Sequence, residues 1–109
     1  EEVVLVDVRT REEREVSTIA GAITAEDFQA ELNRFEGRPI VAFCTVGERS
    51  ARFAQEMAEE GVVVLNFEGS LLAWTHDGGD LVDARGSTRT LHVFGPTWDL
   101  AAGSYEVVW

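Results

Sequence analysis

The sequence predicts an α/β protein built on a mainly parallel sheet. Three observations predict it: short apolar runs without alternation, amphipathic helical patterns lying between them, and a polar residue or cysteine closing each run. Unalternating β-branched runs suit strands covered on both faces, as in parallel sheets. Strands alternating with helices define the layered α/β architecture.

The first run is Val3-Val4-Leu5-Val6, ended by Asp7. From Arg9 to Glu15 the charges alternate in sign, which reads as a solvated loop or helix face. Thr24 then precedes Ala25-Glu26-Asp27, with Phe28, Leu32 and Phe35 at i, i+4 and i+7, an N-capped amphipathic helix closed by Gly37 and Pro39. The second run, Ile40-Val41-Ala42-Phe43, ends at Cys44. Ser50 opens a second helix, with Phe53, Ala54, Met57 and Ala58 as its apolar stripe, Glu56, Glu59 and Glu60 as its solvated face, and Gly61 as its C-cap. The third run, Val62-Val63-Val64-Leu65, ends at Asn66, and Gly69 to Trp74 reads as a short third helix. Asp77 to Arg89 is polar and reads as a long loop. Thr90 to Phe94 and Tyr105 to Trp109 read as two further strands, separated by the turn-rich stretch Gly95-Pro96-Thr97-Trp98-Asp99.

At 109 residues the chain has the length of one domain, and we expect a core over about residues 3–79 with a C-terminal two-strand extension over about 80–109. No apolar run approaches the ~20 residues that span a bilayer. The sequence has no initiator Met and begins inside the first strand pattern, so a preceding segment, including any targeting signal, is expected to be missing from it. The net charge of −11 argues against nucleic acid and against an anionic membrane as partners. All nine basic residues are Arg, which reads as lineage bias or as adaptation of an acidic surface to high salt. One cysteine excludes an internal disulfide and a resolving partner in the chain, and favours a reducing, cytoplasmic location. With a single Cys and two separated His, no metal site or cofactor is expected.

Chemistry is expected at Cys44, because ligands of open α/β sheets bind beyond the carboxyl ends of strands. Residues Thr45, Val46, Gly47, Glu48, Arg49 and Ser50 follow it and lead into a helix. A loop of this length can turn its backbone N–H groups around a solvent-reachable sulfur as an anion nest. The helix N-terminus and the Arg49 guanidinium add positive potential, so the thiol pKa should fall. Glu48 opposes this if it points inward and only shapes the rim if it points outward. The loop argues against a phosphate cradle of the form Cys-x5-Arg: Arg49 is the fifth residue after Cys44, not the sixth, and Glu48 would oppose a phosphate dianion. His76 and His92 lack partner motifs and read as structural. Trp74 reads as core, and Trp98, Tyr105 and Trp109 as packing for the extension.

Cys44-Thr45-Val46-Gly47-Glu48-Arg49-Ser50 resembles the Cys-x-x-Gly-x-Arg-Ser active-site loop of the rhodanese family. Asp7-Val8-Arg9, Glu13 and Ile19-Ala20-Gly21-Ala22-Ile23 resemble its N-terminal signature, and Asn66 to Trp74 its late signature. The motifs occur in order over about two-thirds of the chain. The departures are Arg14 where the family has an aromatic, Ser17-Thr18 where it has Gly-His, and Ala20 where it has Pro. Family members commonly carry a strand and a helix before the Asp-x-Arg strand, and this sequence starts too late for both. Either that segment is missing or the two C-terminal strands take its place.

The resemblance implies a three-layer rhodanese-like fold. It implies Cys44 as the sulfur-accepting nucleophile, Thr45 to Ser50 as the cradle with Arg49 lining it, and Asp7 and Arg9 as support for the site. Arg9 and Glu13, four apart, are expected to pair. The implied activity is a sulfurtransferase that moves a sulfane sulfur from thiosulfate, a mercapto acid or a polysulfide to a thiol or cyanide through a Cys44 persulfide. The acceptor thiol belongs to a small molecule or a protein. The alternative is a noncatalytic rhodanese-like module that binds a protein partner.

Overall fold

The computed structural model describes residues 3–95 and 98–109. Four parallel strands form the central sheet: β1 (Val4–Asp7), β2 (Ile23–Thr24), β3 (Ile40–Phe43) and β4 (Leu65–Asn66), in the order β2-β1-β3-β4. Leu5 pairs with Val41 and Asp7 with Phe43, so Asp7 and Cys44 emerge together at the carboxyl edge of neighbouring strands.

Alternating side chains of these strands, with Val64 just before β4, feed two cores. Val4, Val6, Ile40, Ala42 and Val64 pack on one face against Phe28, Phe35, Phe53 and Met57. Phe28 lies on helix α2 (Ala25–Ala30), and Phe53 and Met57 on helix α3 (Glu48–Glu59). Phe43 enters the second core with Ile19, Leu71, Leu72, Leu81, Leu91, Val93 and Tyr105. Leu71 and Leu72 come from helix α4 (Ser70–His76). Helices therefore cover both faces of a mainly parallel sheet, the layered α/β arrangement the apolar runs predict.

Local chemistry explains the helix ends. Helix α1 (Arg11–Val16) starts with a capping box in which Thr10 and Glu13 satisfy each other's backbone N–H groups. Thr24 caps α2 by accepting from the Asp27 amide at 3.0 Å, as expected. The predicted helix is split, however: after Ala30 the chain tightens into a 3-10 turn over Leu32–Phe35. Helix α3 ends in a Schellman motif at Gly61, with Val62 N–H bonded to Met57 O at 2.9 Å and Gly61 N–H to Ala58 O at 3.0 Å. Its start lies at Glu48, two residues before the predicted Ser50.

Three expectations are corrected. The run Val62 to Leu65 is not a strand covered on both faces: only Leu65 and Asn66 pair, at the sheet edge, and Val63 is 79% exposed. The predicted loop 77–89 contains a hairpin of β5 (Leu81–Asp83) and β6 (Gly86–Thr88), anchored by a bridge from Thr18 to Val82. Trp109 does not pack the extension; it is 62% exposed.

The C-terminal strands β7 (Thr90–His92) and β8 (Glu106–Val108) pair in parallel with each other in a separate sheet. They do not extend the central sheet. The extension is tied to the rest of the chain by Tyr105 Oη donating to Gly79 O at 2.6 Å and by His76 Nε2 against Leu100 O at 2.7 Å. That contact gives His76 a structural role. Of the stretch Gly95 to Asp99 expected to be turn-rich, Pro96 and Thr97 lie outside the described residues.

Candidate active site

Cys44 follows β3 directly, and its backbone is held from α4. Its N–H donates to Ser70 Oγ at 3.1 Å, its carbonyl accepts from Leu71 N–H at 3.1 Å, and the Thr45 carbonyl accepts from Leu72 N–H at 3.0 Å. The first amides of a helix have no acceptor inside it, and here the cysteine loop supplies two. Ser70 adopts φ +45, an uncommon conformation for a residue with a side chain, while its hydroxyl also donates to Phe67 O at 2.7 Å.

The sulfur is met by polar groups on the loop. Gly47 N–H points at Cys44 Sγ at 3.0 Å. Gly47 has φ +106, and a Cβ there would stand 3.2 Å from Gly69 N, so the loop closes tightly on the turn before α4. Ser50 Oγ lies 3.5 Å from the sulfur, 3.3 Å from Gly47 O and 2.6 Å from Asn66 Oδ1. One hydroxyl proton serves these three acceptors. The shortest contact holds it while Cys44 is a neutral thiol, and a thiolate competes for it. Burial opposes ionisation of Cys44, but the Ser50 hydroxyl and the amides of Ser50, Gly47 and Arg49 outweigh it and hold the pKa below its ordinary 9.0.

The sulfur is not solvent-reachable, contrary to the sequence expectation: Cys44 is 0% exposed. Thr45 and Gly47 are also buried, Val46 is half-buried, and Glu48 is exposed. Glu48 points outward, 3.7 Å from Arg52 Nη2, which resolves its two possible roles in favour of the rim.

Arg49 does not stand free. Its Nη1 and Nη2 meet Glu13 Oε1 and Oε2 at 2.8 and 2.9 Å, Nη2 also reaches Thr45 Oγ1 at 3.2 Å, and the Phe94 ring covers the guanidinium with its centroid 4.7 Å away. Glu13 thus pairs with Arg49 and not with Arg9 as its spacing suggests. Arg9 turns back over Asp7, donating from Nε to Oδ1 at 2.9 Å and from Nη2 to Oδ2 at 2.8 Å. Its Nη2 also reaches Ser17 O at 2.6 Å, and Thr18 Oγ1 donates to Asp7 Oδ2 at 2.7 Å. Arg9 and Asp7 are both buried, and this pair braces the chain where β1 leaves the sheet.

Sequence reasoning does not single out Ser70, Phe94, or Asn66 and Glu13 as partners of Ser50 and Arg49. Asn66 and Ser70 lie within the late signature, which was a usable signal; Phe94, 45 positions beyond Arg49, had none. A surface cavity of about 460 Å³, lined by Phe28, Leu32, Phe35, Ile40, Val62 and others, lies at the opposite end of β3 from Cys44.

The Rhodanese-like domain family model matches residues 1–77, and the chain belongs to this family. The crystal structure of a rhodanese-like domain protein from Staphylococcus aureus is 31% identical, with 68% of this chain and 76% of that one covered at a TM-score of 0.60. A protein of Staphylococcus saprophyticus is 32% identical over 72% of this chain and 81% of its own, also at 0.60. A rhodanese-related protein from Thermoplasma volcanium, 23% identical over 73% and 83%, has a TM-score of 0.63 and shares the fold. No curated protein matches the chain. Among the described residues, no helix is long and apolar enough to cross a membrane.

Proposed function

We propose that this chain is a sulfurtransferase that carries sulfane sulfur on Cys44. The observation that carries the reading is the Gly47 N–H aimed at Cys44 Sγ at 3.0 Å, within a loop whose next amides and Ser50 hydroxyl also favour the anion. A thiolate is the attacking form of cysteine. It attacks the outer sulfur of a donor, the donor's S–S bond breaks, and the leaving group departs with the electron pair. An acceptor thiol or cyanide then takes the outer sulfur of the persulfide and regenerates the thiolate. These are two half-reactions of covalent catalysis, and ping-pong kinetics follow.

The loop amides serve both the thiolate and the persulfide anion, because each places negative charge in the same nest. Asp7 and Arg9 brace the end of β1, beside the end of β3 from which Cys44 emerges. Donor entry requires the groups over Cys44 to move, since the sulfur is covered. The donor is a small sulfur compound and the acceptor a small or protein thiol, in a reducing compartment such as the cytoplasm.

The complete burial of Cys44 favours a second reading, a noncatalytic module of the same fold. Intact mass after incubation with thiosulfate or polysulfide separates the two. The sulfurtransferase gains ~32 Da, loses it to dithiothreitol, and gains nothing as Cys44→Ala. No adduct from any donor contradicts the sulfurtransferase and favours the noncatalytic module.

A further inference from the structure

Arg49 is the one basic residue between Cys44 and Ser50, and both its terminal nitrogens are occupied by Glu13. Glu13 is itself buried, with its side chain 5% exposed, and the Phe94 ring lies over the pair's cation. Arg9 is spent on Asp7, and Arg52 sits beside Glu48 at the rim. The chain as a whole carries −11. The amides around the sulfur therefore hold one anion, with no uncommitted guanidinium on the loop to receive two more charges.

Resting on the sulfur-transfer reading above, we propose that Glu13 sets donor specificity: by occupying Arg49 beneath Phe94 it withholds that cation from a dianion, so Cys44 takes sulfur from an alkyl hydropersulfide and discriminates against thiosulfate. With a hydropersulfide R–S–S–H, the thiolate bonds to the outer sulfur, the S–S bond breaks, and R–S⁻ leaves with the electron pair while the proton stays on the new persulfide. One negative charge enters the reaction and one leaves. With thiosulfate, the thiolate bonds to the outer sulfur and sulfite leaves as a dianion. Three negative charges must then share a buried site, and repulsion is greatest where water is excluded. The sulfur moves as a neutral atom in both reactions, so no oxidant or reductant is needed. Glu13 is a positioning residue here: it acts through Arg49 and never touches the donor.

The test follows ~32 Da adduct formation on the full chain with thiosulfate and with the hydropersulfide of 2-mercaptoethanol as separate donors. Raising salt from about 0.01 to 0.15 M shortens the screening length from ~30 to ~8 Å. If the site repels the dianion, thiosulfate reacts faster as salt rises, and more steeply than the hydropersulfide. Glu13→Gln, with its melting temperature measured alongside, should raise the ratio of thiosulfate to hydropersulfide rates about tenfold, within the range electrostatic steering covers. A thiosulfate rate that falls or stays level with salt overturns the proposal, as does an unchanged ratio in folded Glu13→Gln. Should that variant not fold, the sign of the salt effect decides alone. An adduct from the hydropersulfide only supports the proposal. An adduct from neither donor overturns the sulfur-transfer reading, and this inference with it.

Discussion

Glu13 and Arg49 form a two-pronged ion pair, with both oxygens and both terminal nitrogens engaged at 2.8 and 2.9 Å. The pair joins helix α1 to the first turn of α3, directly after the loop that carries Cys44, across 36 positions of sequence. It fixes where the guanidinium sits, and so how much positive charge the candidate site has to spend.

The same pair couples stability to acid. Burial opposes the charge on Glu13, but the hydrogen bonds from Arg49 and the Thr10 amide outweigh it and lower its pKa from 4.5 to about 2. The folded form therefore binds its proton later than the unfolded chain. The stabilisation is complete above 4.5 and is lost as the pH falls towards 2. A shift of this size corresponds to on the order of 3 kcal/mol. Urea unfolding of the wild type and Glu13→Gln should show a gap of that order near neutrality that closes in acid. A gap independent of pH would mean that the carboxylate's charge contributes nothing.

Arg9 and Asp7 test the brace where β1 leaves the sheet. Arg9→Met leaves the Asp7 carboxylate buried, 1% exposed, with the Thr18 hydroxyl as a remaining donor. Breaking a buried pair by removing one partner costs roughly 3–5 kcal/mol. Thermal unfolding measures it, and a loss below ~1 kcal/mol, the size of a surface pair, contradicts a bracing role.

Ser50 and Asn66 make opposite predictions for the sulfur. Ser50→Ala removes the hydroxyl that a thiolate recruits and should raise the Cys44 pKa. Asn66→Ala removes the acceptor 2.6 Å from that hydroxyl, frees its proton for the sulfur, and should lower it. Thiolate absorbance against pH reads both shifts. Movement in the same direction in both variants contradicts the competition for one proton.

What was legible in the sequence was local. The run Ile40 to Phe43, the glycine at 47 and the helix after it describe one continuous stretch of strand, loop and helix, and the structure forms it with only the helix start displaced. The partner of Glu13 was not legible, because the four-residue spacing favours Arg9 while tertiary folding brings Arg49. The hairpin after α4 was missed because its strands are three residues each and one contains Gly86, too short for any period to register. The close approach of Gly47 to Gly69 is a contact between two turns that no local pattern announces.

The central claim is that polar groups defeat burial at the sulfur. Titration of the Cys44 thiolate in the folded wild-type chain measures that balance directly. Stabilisation by the loop amides and Ser50 predicts a midpoint below 9.0. A midpoint above 9.0 is what burial alone produces, and it would contradict the account.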